Sequence, residues 1–226
     1  GWRCGFTGRR TDLGVGVHLC SMKIICIGRN YALHAAELGN AVPAEPLFFL
    51  KPDSAVHLHK HPFYLPDWSD DIHYEVEVVV RINRLGKAIE PRFAHKYYAE
   101  VGLGIDFTAR DVQAECKAKG HPWERAKAFD HSAVVSQQFF PLADFAGGIQ
   151  GLAFTLERNG EVVQTGHTRD MLFPVDELIA YVSRYMTLKV GDLLFTGTPA
   201  GVGRVESGDV LEGFLEGISC FRVAVK

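Results

Sequence analysis

Residues 72–83, Ile72-His73-Tyr74-Glu75-Val76-Glu77-Val78-Val79-Val80-Arg81-Ile82-Asn83, alternate with the period of two that marks a β-strand. Tyr74, Val76, Val78 and Val80 fall on one face, and Glu75, Glu77 and Val79 on the other. A strand this apolar on both sides is expected to be buried on both. The two glutamates then share one face, about 6–7 Å apart along the backbone, and their side chains can converge on one ion. An isolated Glu-x-Glu is most often a solvated strand face. Burial argues otherwise here, because an unpaired buried carboxylate costs several kcal/mol and needs a partner.

A second strand, Gly102-Leu103-Gly104-Ile105-Asp106-Phe107, supplies a third carboxylate. Val101, Leu103, Ile105 and Phe107 line one face, with Gly102, Gly104 and Asp106 on the other, so the glycines are expected to clear room for a ligand beside Asp106. Three hard oxygen donors with no cysteine or histidine pair favour Mg²⁺ or Mn²⁺ over zinc.

Outward from these strands the pattern stays strand-rich. Residues 23–28 and 46–52 are short apolar runs, and a helix is expected around Tyr31–Leu38. Residues 108–120 read as a helix with Thr108 as N-cap and Gly120 at its end. Asn159-Gly160 marks a type I′ hairpin. Pro174 opens an amphipathic helix whose apolar face is Val175, Leu178, Ile179, Val182 and Met186. Gly191-Asp192 and Gly208-Asp209 each lead into an apolar strand. The expected fold is mixed, mainly β with short helices, in a twisted and partly closed single-domain roll.

Composition narrows the function classes. The chain has 226 residues, 47% hydrophobic and 23% charged, with a net charge of -3. That balance gives no electrostatic case for nucleic acid or an anionic membrane as partner, and no apolar run is long enough to span a bilayer. The five cysteines are scattered without a CxxC spacing, which points to a reducing, cytoplasmic setting. Residues 1–21 lack a coherent period, so they read as a non-native or disordered extension ahead of a catalytic domain over 22–226.

Three further features bear on chemistry. His34 and Glu37 stand at i and i+3 on the short helix, where the carboxylate can orient the imidazole. Taken alone such a pair is more often a surface ion pair. Lys51 reads as a lysine snorkelling from the core edge, and His57, His59 and His61 as an exposed strand edge. Trp123 reads as packing rather than a base-stacking platform, since no basic groove accompanies it.

The motifs gain weight in combination. Gly28-Arg29-Asn30-Tyr31-x-x-His34-x-x-Glu37, Phe49-Leu50-Lys51-Pro52, His73-Tyr74-Glu75-Val76-Glu77, Asp106-Phe107-Thr108-Ala109-Arg110-Asp111-Val112-Gln113, Pro122-Trp123-x-x-Ala126-Lys127-x-Phe129 and Thr196-Gly197-Thr198-Pro199-Ala200-Gly201-Val202-Gly203 occur in that order. Together they resemble the fumarylacetoacetate hydrolase family, and within it the compact acylpyruvase and oxaloacetate decarboxylase branch. The resemblance runs from Met22 to Lys226. It implies a β-sandwich roll, a homodimer, and Mg²⁺ or Mn²⁺ at Glu75, Glu77 and Asp106. It further implies a catalytic dyad of His34 and Glu37 on a lid, Lys127 beside the metal, and Arg29, Arg110, Gln113 and Thr198 near the oxygens of a small 2-oxo carboxylic acid.

The expected activity is metal-dependent cleavage of the carbon–carbon bond of acylpyruvates, or decarboxylation of oxaloacetate, through a metal-stabilised pyruvate enolate. Isomerisation or decarboxylation of a 2-hydroxyhepta-2,4-diene-1,7-dioate type substrate, or keto–enol tautomerisation of oxaloacetate, is the alternative. A non-catalytic metal or keto-acid binder is a third reading. The retained base and lysine weigh against it.

Overall fold

The long strand expected over residues 72–83 is two strands, and the break between them is the key to the architecture. The computed structural model describes residues 22–39 and 41–226. The extension read over residues 1–21 lies outside the described residues. In chain order the first elements are β1 (Ile24–Gly28), α1 (Ala32–Glu37), β2 (Leu47–Lys51), β3 (Ile72–Tyr74), β4 (Val76–Ile82) and α2 (Pro91–Ala94). There follow β5 (Tyr98–Asp106), β6 (Thr108–Ala109), α3 (Arg110–Lys119), α4 (Glu124–Lys127), β7 (Ala133–Val135) and β8 (Phe140–Pro141). The chain closes with β9 (Ala153–Arg158), β10 (Glu161–His167), α5 (Val175–Tyr185), β11 (Leu193–Phe195), β12 (Gly203–Arg204), β13 (Val210–Leu215) and β14 (Ile218–Ala224).

These strands make three sheets. The largest runs β2-β1-β11-β4-β5-β7, with β8 also on β5; a second runs β10-β9-β13-β14, and a third β12-β3-β6. Among the described residues the β1–β11 pairing inside the large sheet is parallel and its other pairings are antiparallel. The mainly β architecture with short helices is the one expected from the sequence.

The alternation of β4 sorts its side chains into two cores. Val76, Val78 and Val80, with Val101, Leu103 and Ile105 of β5, join Leu211, Leu215, Phe154 and Leu156 of the four-stranded sheet in the larger cluster. Val79 packs on the opposite face with Ile24, Cys26, Ala133 and Phe195. Full burial of each such aliphatic side chain contributes about 1.5–3 kcal/mol, so β4 is held from both sides.

At Glu75 the chain passes from the three-stranded sheet into the large one, and at Phe107 it passes back. The two crossings are stitched together: Asp106 N–H donates to Glu75 O at 2.9 Å, and Phe107 N–H donates to Ser132 O at 2.8 Å. An uninterrupted strand was the sequence expectation. The seam departs from it because residues on either side of Glu75 pair with different partners, β6 and β12 before it, β5 and β11 after it.

Other expectations are corrected in detail. Thr108 lies in β6 and does not cap α3, whose N-cap is Ala109; Gly120 does close that helix in the left-handed region. Gly102 and Gly104 do not clear room for a ligand. A Cβ at Gly104 would stand 2.5 Å from Val134 O and 2.6 Å from Phe195, and one at Gly102 2.9 Å from Ser136 Oγ, so protein fills both spaces. The hairpin at Asn159 and Gly160 has both residues at positive φ, as the type I′ turn demands. Val175, Leu178, Ile179 and Val182 form the buried face of α5, with Pro174 at its N-cap; Met186 lies one residue past the helix.

Candidate active site at the seam

The seam gathers the three predicted carboxylates. Glu75 is the crossing residue, Glu77 is the second residue of β4, and Asp106 ends β5. All three are buried, and each offers an oxygen within 4.8 Å of the others.

Their charges are met by three cations. Lys127 Nζ donates to Glu75 Oε2 at 2.8 Å, to Asp106 Oδ2 at 2.7 Å and to Thr108 Oγ1 at 2.5 Å. Arg110 Nη2 donates to Glu75 Oε1 at 2.5 Å. Lys51, expected to snorkel toward solvent, is instead wholly buried, with Nζ 2.7 Å from Asp106 Oδ1. Its ammonium also contacts the carbonyls of Phe107, Lys127 and Ser132 and the Ser132 hydroxyl. That ring of acceptors supplies what water would have given at the surface, so the buried charge is tolerated.

The electrostatics split the carboxylates. Burial alone would raise the Glu75 pKa, but the Lys127 and Arg110 charges override it and hold it well below the usual carboxylate range. Burial pushes Glu77 well up, reinforced by the Asp106 and Glu75 charges and only partly opposed by the Gly197 N–H. Burial works against the Lys127 charge, yet Asp106 and Glu75 raise its pKa above normal.

The donor set fits a hard divalent cation. It is made wholly of carboxylate oxygens, and Asp106 Oδ1 is buried with no aligned hydrogen-bond donor despite the nearby ammonium. Glu75, Glu77 and Asp106 are the residues that would hold Mg²⁺ or Mn²⁺.

The loop after β11 forms the facing wall. Gly197 N–H donates to Glu77 Oε2 at 2.7 Å, and Gly197 has a φ of 103°, where a side chain is strained. Its missing Cβ would stand 2.7 Å from the Cβ of Asn30. Asn30 is fully buried and ties three segments: Nδ2 donates to Thr196 O at 2.8 Å and Phe173 O at 3.1 Å, and Oδ1 accepts from Phe173 N–H at 2.8 Å. Gln164 of β10 does the same nearby. Its Oε1 accepts from Val76 N–H at 2.9 Å, and its Nε2 donates to Thr198 Oγ1 and Pro199 O, both at 3.0 Å.

His34 and Glu37 meet on α1, as their spacing predicts. His34 Nδ1 and Glu37 Oε2 are 3.3 Å apart on α1, and Glu37 Oε1 accepts from Gly201 N–H at 3.0 Å, fastening the helix to the same loop. Burial lowers the His34 pKa, with Glu75 and the Glu37 hydrogen bond pulling the other way, so the imidazole is neutral and able to take a proton.

One cavity collects His34, Lys127, Arg29, Arg110, Gln113 and Thr198 with the three carboxylates. Glu37 stands behind His34 rather than on the cavity wall. Sequence reasoning missed Phe49 and Lys117, which line the cavity, and assigned Trp123 to packing alone. Trp123 in fact sits beneath Lys117 at 5.5 Å and beside Phe49 at 6.0 Å. It also missed Asn30, Lys51 and Gln164 as buried supports.

Residues 23–226 match the sequence profile described as fumarylacetoacetate (FAA) hydrolase C-terminal. The chain belongs to the fumarylacetoacetate hydrolase family. Among relatives in that family, oxaloacetate tautomerase YcgM of Escherichia coli (strain K12) is 43% identical over 197 residues, 87% of this chain and 90% of that protein. The mitochondrial oxaloacetate decarboxylase of Dictyostelium discoideum is 42% identical over 197 residues, 87% of this chain and 89% of the relative. A solved family structure, fumarylpyruvate hydrolase from Pseudomonas aeruginosa in complex with Mn²⁺ and pyruvate, superposes with a TM-score of 0.83 at 36% identity, covering 90% of this chain and 88% of the other.

Proposed function

We propose that this protein is a Mg²⁺- or Mn²⁺-dependent enzyme acting on small 2-oxo carboxylic acids, cleaving acylpyruvates or decarboxylating oxaloacetate. The observation that carries the reading is the convergence of Glu75, Glu77 and Asp106 within 4.8 Å, with the neutral His34 and its Glu37 partner beside the same cavity. The relatives named above, which act on oxaloacetate or fumarylpyruvate by their names, support it.

A divalent ion held by the three carboxylates supplies Lewis acidity toward a substrate's 2-oxo oxygen. The chain's own groups do the rest. Arg110 and Gln113, joined by a 2.9 Å hydrogen bond, and Thr198 hold the substrate's carboxylate end. Lys127 keeps a positive charge next to the oxygen on which negative charge grows. For an acylpyruvate, His34 takes a proton from water and the hydroxide adds to the distal carbonyl. The carbon–carbon bond then breaks, its electron pair passes to carbon 3 of the pyruvate fragment, and His34 returns the proton there. Glu37 keeps the ring oriented through both transfers. For oxaloacetate, CO₂ departs and leaves its electron pair on carbon 3, with no water needed.

Oxaloacetate is favoured by the charges. Three carboxylates already face Lys51, Lys127 and Arg110, so a dication leaves a positive surplus that a dicarboxylate offsets. Lys117 lines the same cavity, and burial with the surrounding Arg29, Arg110 and Lys127 charges lowers its pKa, as expected where positive groups crowd together. With oxaloacetate, proton transfer between carbon 3 and the 2-oxo oxygen also gives keto–enol tautomerisation, the second reading.

No helix among the described residues is long and apolar enough to cross a membrane. A reducing, cytoplasmic setting is supported by the buried free thiols of Cys26, Cys116 and Cys220. A homodimer is supported by half-exposed Leu50 on the edge strand β2 and the Phe48, Tyr181 and Tyr185 rings near it, and sedimentation tests it. The activity is tested by following pyruvate release from acetylpyruvate and from oxaloacetate with Mg²⁺, with and without chelator. His34→Ala is expected to abolish acetylpyruvate hydrolysis. Full hydrolysis by that variant, or no turnover of either acid by metal-loaded protein, defeats the proposal.

A further inference from the structure

A second cluster of metal-binding side chains lies outside the cavity. It joins the segment His57–His61 to the turn that carries His131. Val56 and Ala133 pair in an isolated parallel bridge, and His57 N–H donates to Ala133 O at 2.8 Å. The ring of His57 then stands 6.3 Å from that of His59 and 5.9 Å from that of His131, centroid to centroid.

Contrary to the exposed edge expected from the sequence, His57 is only 2% exposed. Neither of its ring nitrogens has a hydrogen-bond partner, and His59 Nδ1 is buried and equally unpartnered. A neutral imidazole carries one donor and one acceptor. Leaving such groups unpaired in the interior costs about 1–3 kcal/mol each. Three buried ring nitrogens without a partner, two on His57 and one on His59, call for an acceptor of their lone pairs, and His131, whose Nδ1 lies 3.4 Å from Val56 O, stands beside them.

We propose that His57, His59 and His131 form a binding site for one divalent transition-metal ion of the Zn²⁺ class, separate from the carboxylate site. An all-imidazole donor set suits Zn²⁺, Ni²⁺ or Cu²⁺ and leaves Mg²⁺ unbound. Burial, together with His59 and His131 and against an opposing effect of the His61 backbone, pushes the His57 pKa down to about 4, so its lone pair is available at neutral pH without proton loss.

The site is completed on binding. With metal–nitrogen bonds of about 2.1 Å, two imidazoles on one tetrahedral ion hold their ring centroids roughly 5 Å apart. The observed separations exceed that by about 1 Å. In keeping with this, only Glu75, Glu77 and Asp106 among the described residues have ligand atoms all within 4.8 Å. Rotation of the exposed His131 ring, in a turn at φ 63°, closes one separation, and rotation of the partly exposed His59 ring closes the other. The bound ion would clamp residues 57–61 onto the turn whose next residue, Ser132, holds Lys51 behind Asp106.

Equilibrium dialysis against micromolar Zn²⁺ in large excess Mg²⁺ tests this, because Mg²⁺ competes for the carboxylates by mass action and not for the imidazoles. Wild-type protein is expected to take up one Zn²⁺ per chain, and Co²⁺ in its place to give the visible absorption of a tetrahedral nitrogen site. His131→Gln, at an exposed position, is expected to weaken Zn²⁺ binding about tenfold or more with far-ultraviolet circular dichroism and Mg²⁺-dependent turnover unchanged. His57→Gln is expected to do the same, and where its buried polar amide impairs folding, His131→Gln decides. No Zn²⁺ uptake by wild-type protein, or undiminished uptake by the His131 variant, overturns the proposal. Neither result depends on what the carboxylate site catalyses.

Discussion

Lys51 Nζ and Asp106 Oδ1 lie 2.7 Å apart with both side chains out of reach of solvent. The ammonium comes from the end of β2 and the carboxylate from the end of β5, so one buried charge pair joins two strands that are not neighbours in the sheet. Removing one member of such a pair leaves the other uncompensated, at about 3–5 kcal/mol. Lys51→Met is expected to destabilise the metal-free protein by about that amount. A divalent ion then substitutes for the lost charge at Asp106, so Mn²⁺ should raise the melting temperature more in the variant than in wild type. Equal shifts in the two proteins would show that ion and ammonium do not share the carboxylate.

Gly197 serves Glu77 through its N–H and Asn30 through its lack of a side chain. Gly197→Ala is expected to cost about 1–3 kcal/mol from the positive φ, and more from the contact with Asn30. The loop must shift to relieve both, taking the N–H away from Glu77. Urea denaturation and calorimetric titration with Mn²⁺ should therefore report losses of stability and of metal affinity together. A variant with weakened stability and unaltered affinity would separate the loop from the site.

Gln164 bridges β4 to the loop that bears Thr198, and every polar atom of its amide is used. Gln164→Leu keeps the volume and orphans Val76 N–H and Pro199 O, at about 1–3 kcal/mol for each buried group. With Thr198 no longer held, KM for the keto acid is expected to rise more than kcat falls. Steady-state kinetics with wild-type and variant protein check the split.

His57 gives a pH signature of stability. Its pKa in the folded protein is down to about 4 from 6.5, so the unfolded chain binds the proton more readily between those values. Stability is therefore full above pH 6.5, falls as pH drops from 6.5 toward 4, and changes no further through this group below that, for a total of about 3 kcal/mol. Urea denaturation across that window should show this slope in wild type, measured without added Zn²⁺, and a shallower one in His57→Phe.

What could be read from the sequence, and what could not, follows from where each side chain finds its partner. Glu75, Glu77 and Asp106 were legible because charges interrupt apolar alternation, and an interruption in a buried strand demands a reason. The contact of His34 with Glu37 was legible from helical spacing, but a role for the pair came only from the motifs taken together. Asn30 and Gln164 were not legible, since their partners are mostly backbone groups 35 to 166 residues away, apart from Thr198 Oγ1, and no local period announces them. Lys51 was misread because a lysine after an apolar run usually reaches water, and only the assembled fold brings Phe107, Lys127 and Ser132 around it. The glycines of β5 were misread as clearing room for a ligand, because a missing side chain does not say what fills its place: Phe195, Val134 and Ser136 take the space. The break at Glu75 was invisible because both halves share one alternation and differ only in which strands pair with them.

Lys127 reaches Glu75, Asp106 and Thr108 at once. Mutual repulsion among the acidic groups is thereby offset by a counter-ion the polypeptide carries itself. Loading then becomes an exchange in which an incoming dication competes with a tethered ammonium, and the occupancy of the centre can follow the abundance of free metal in its surroundings.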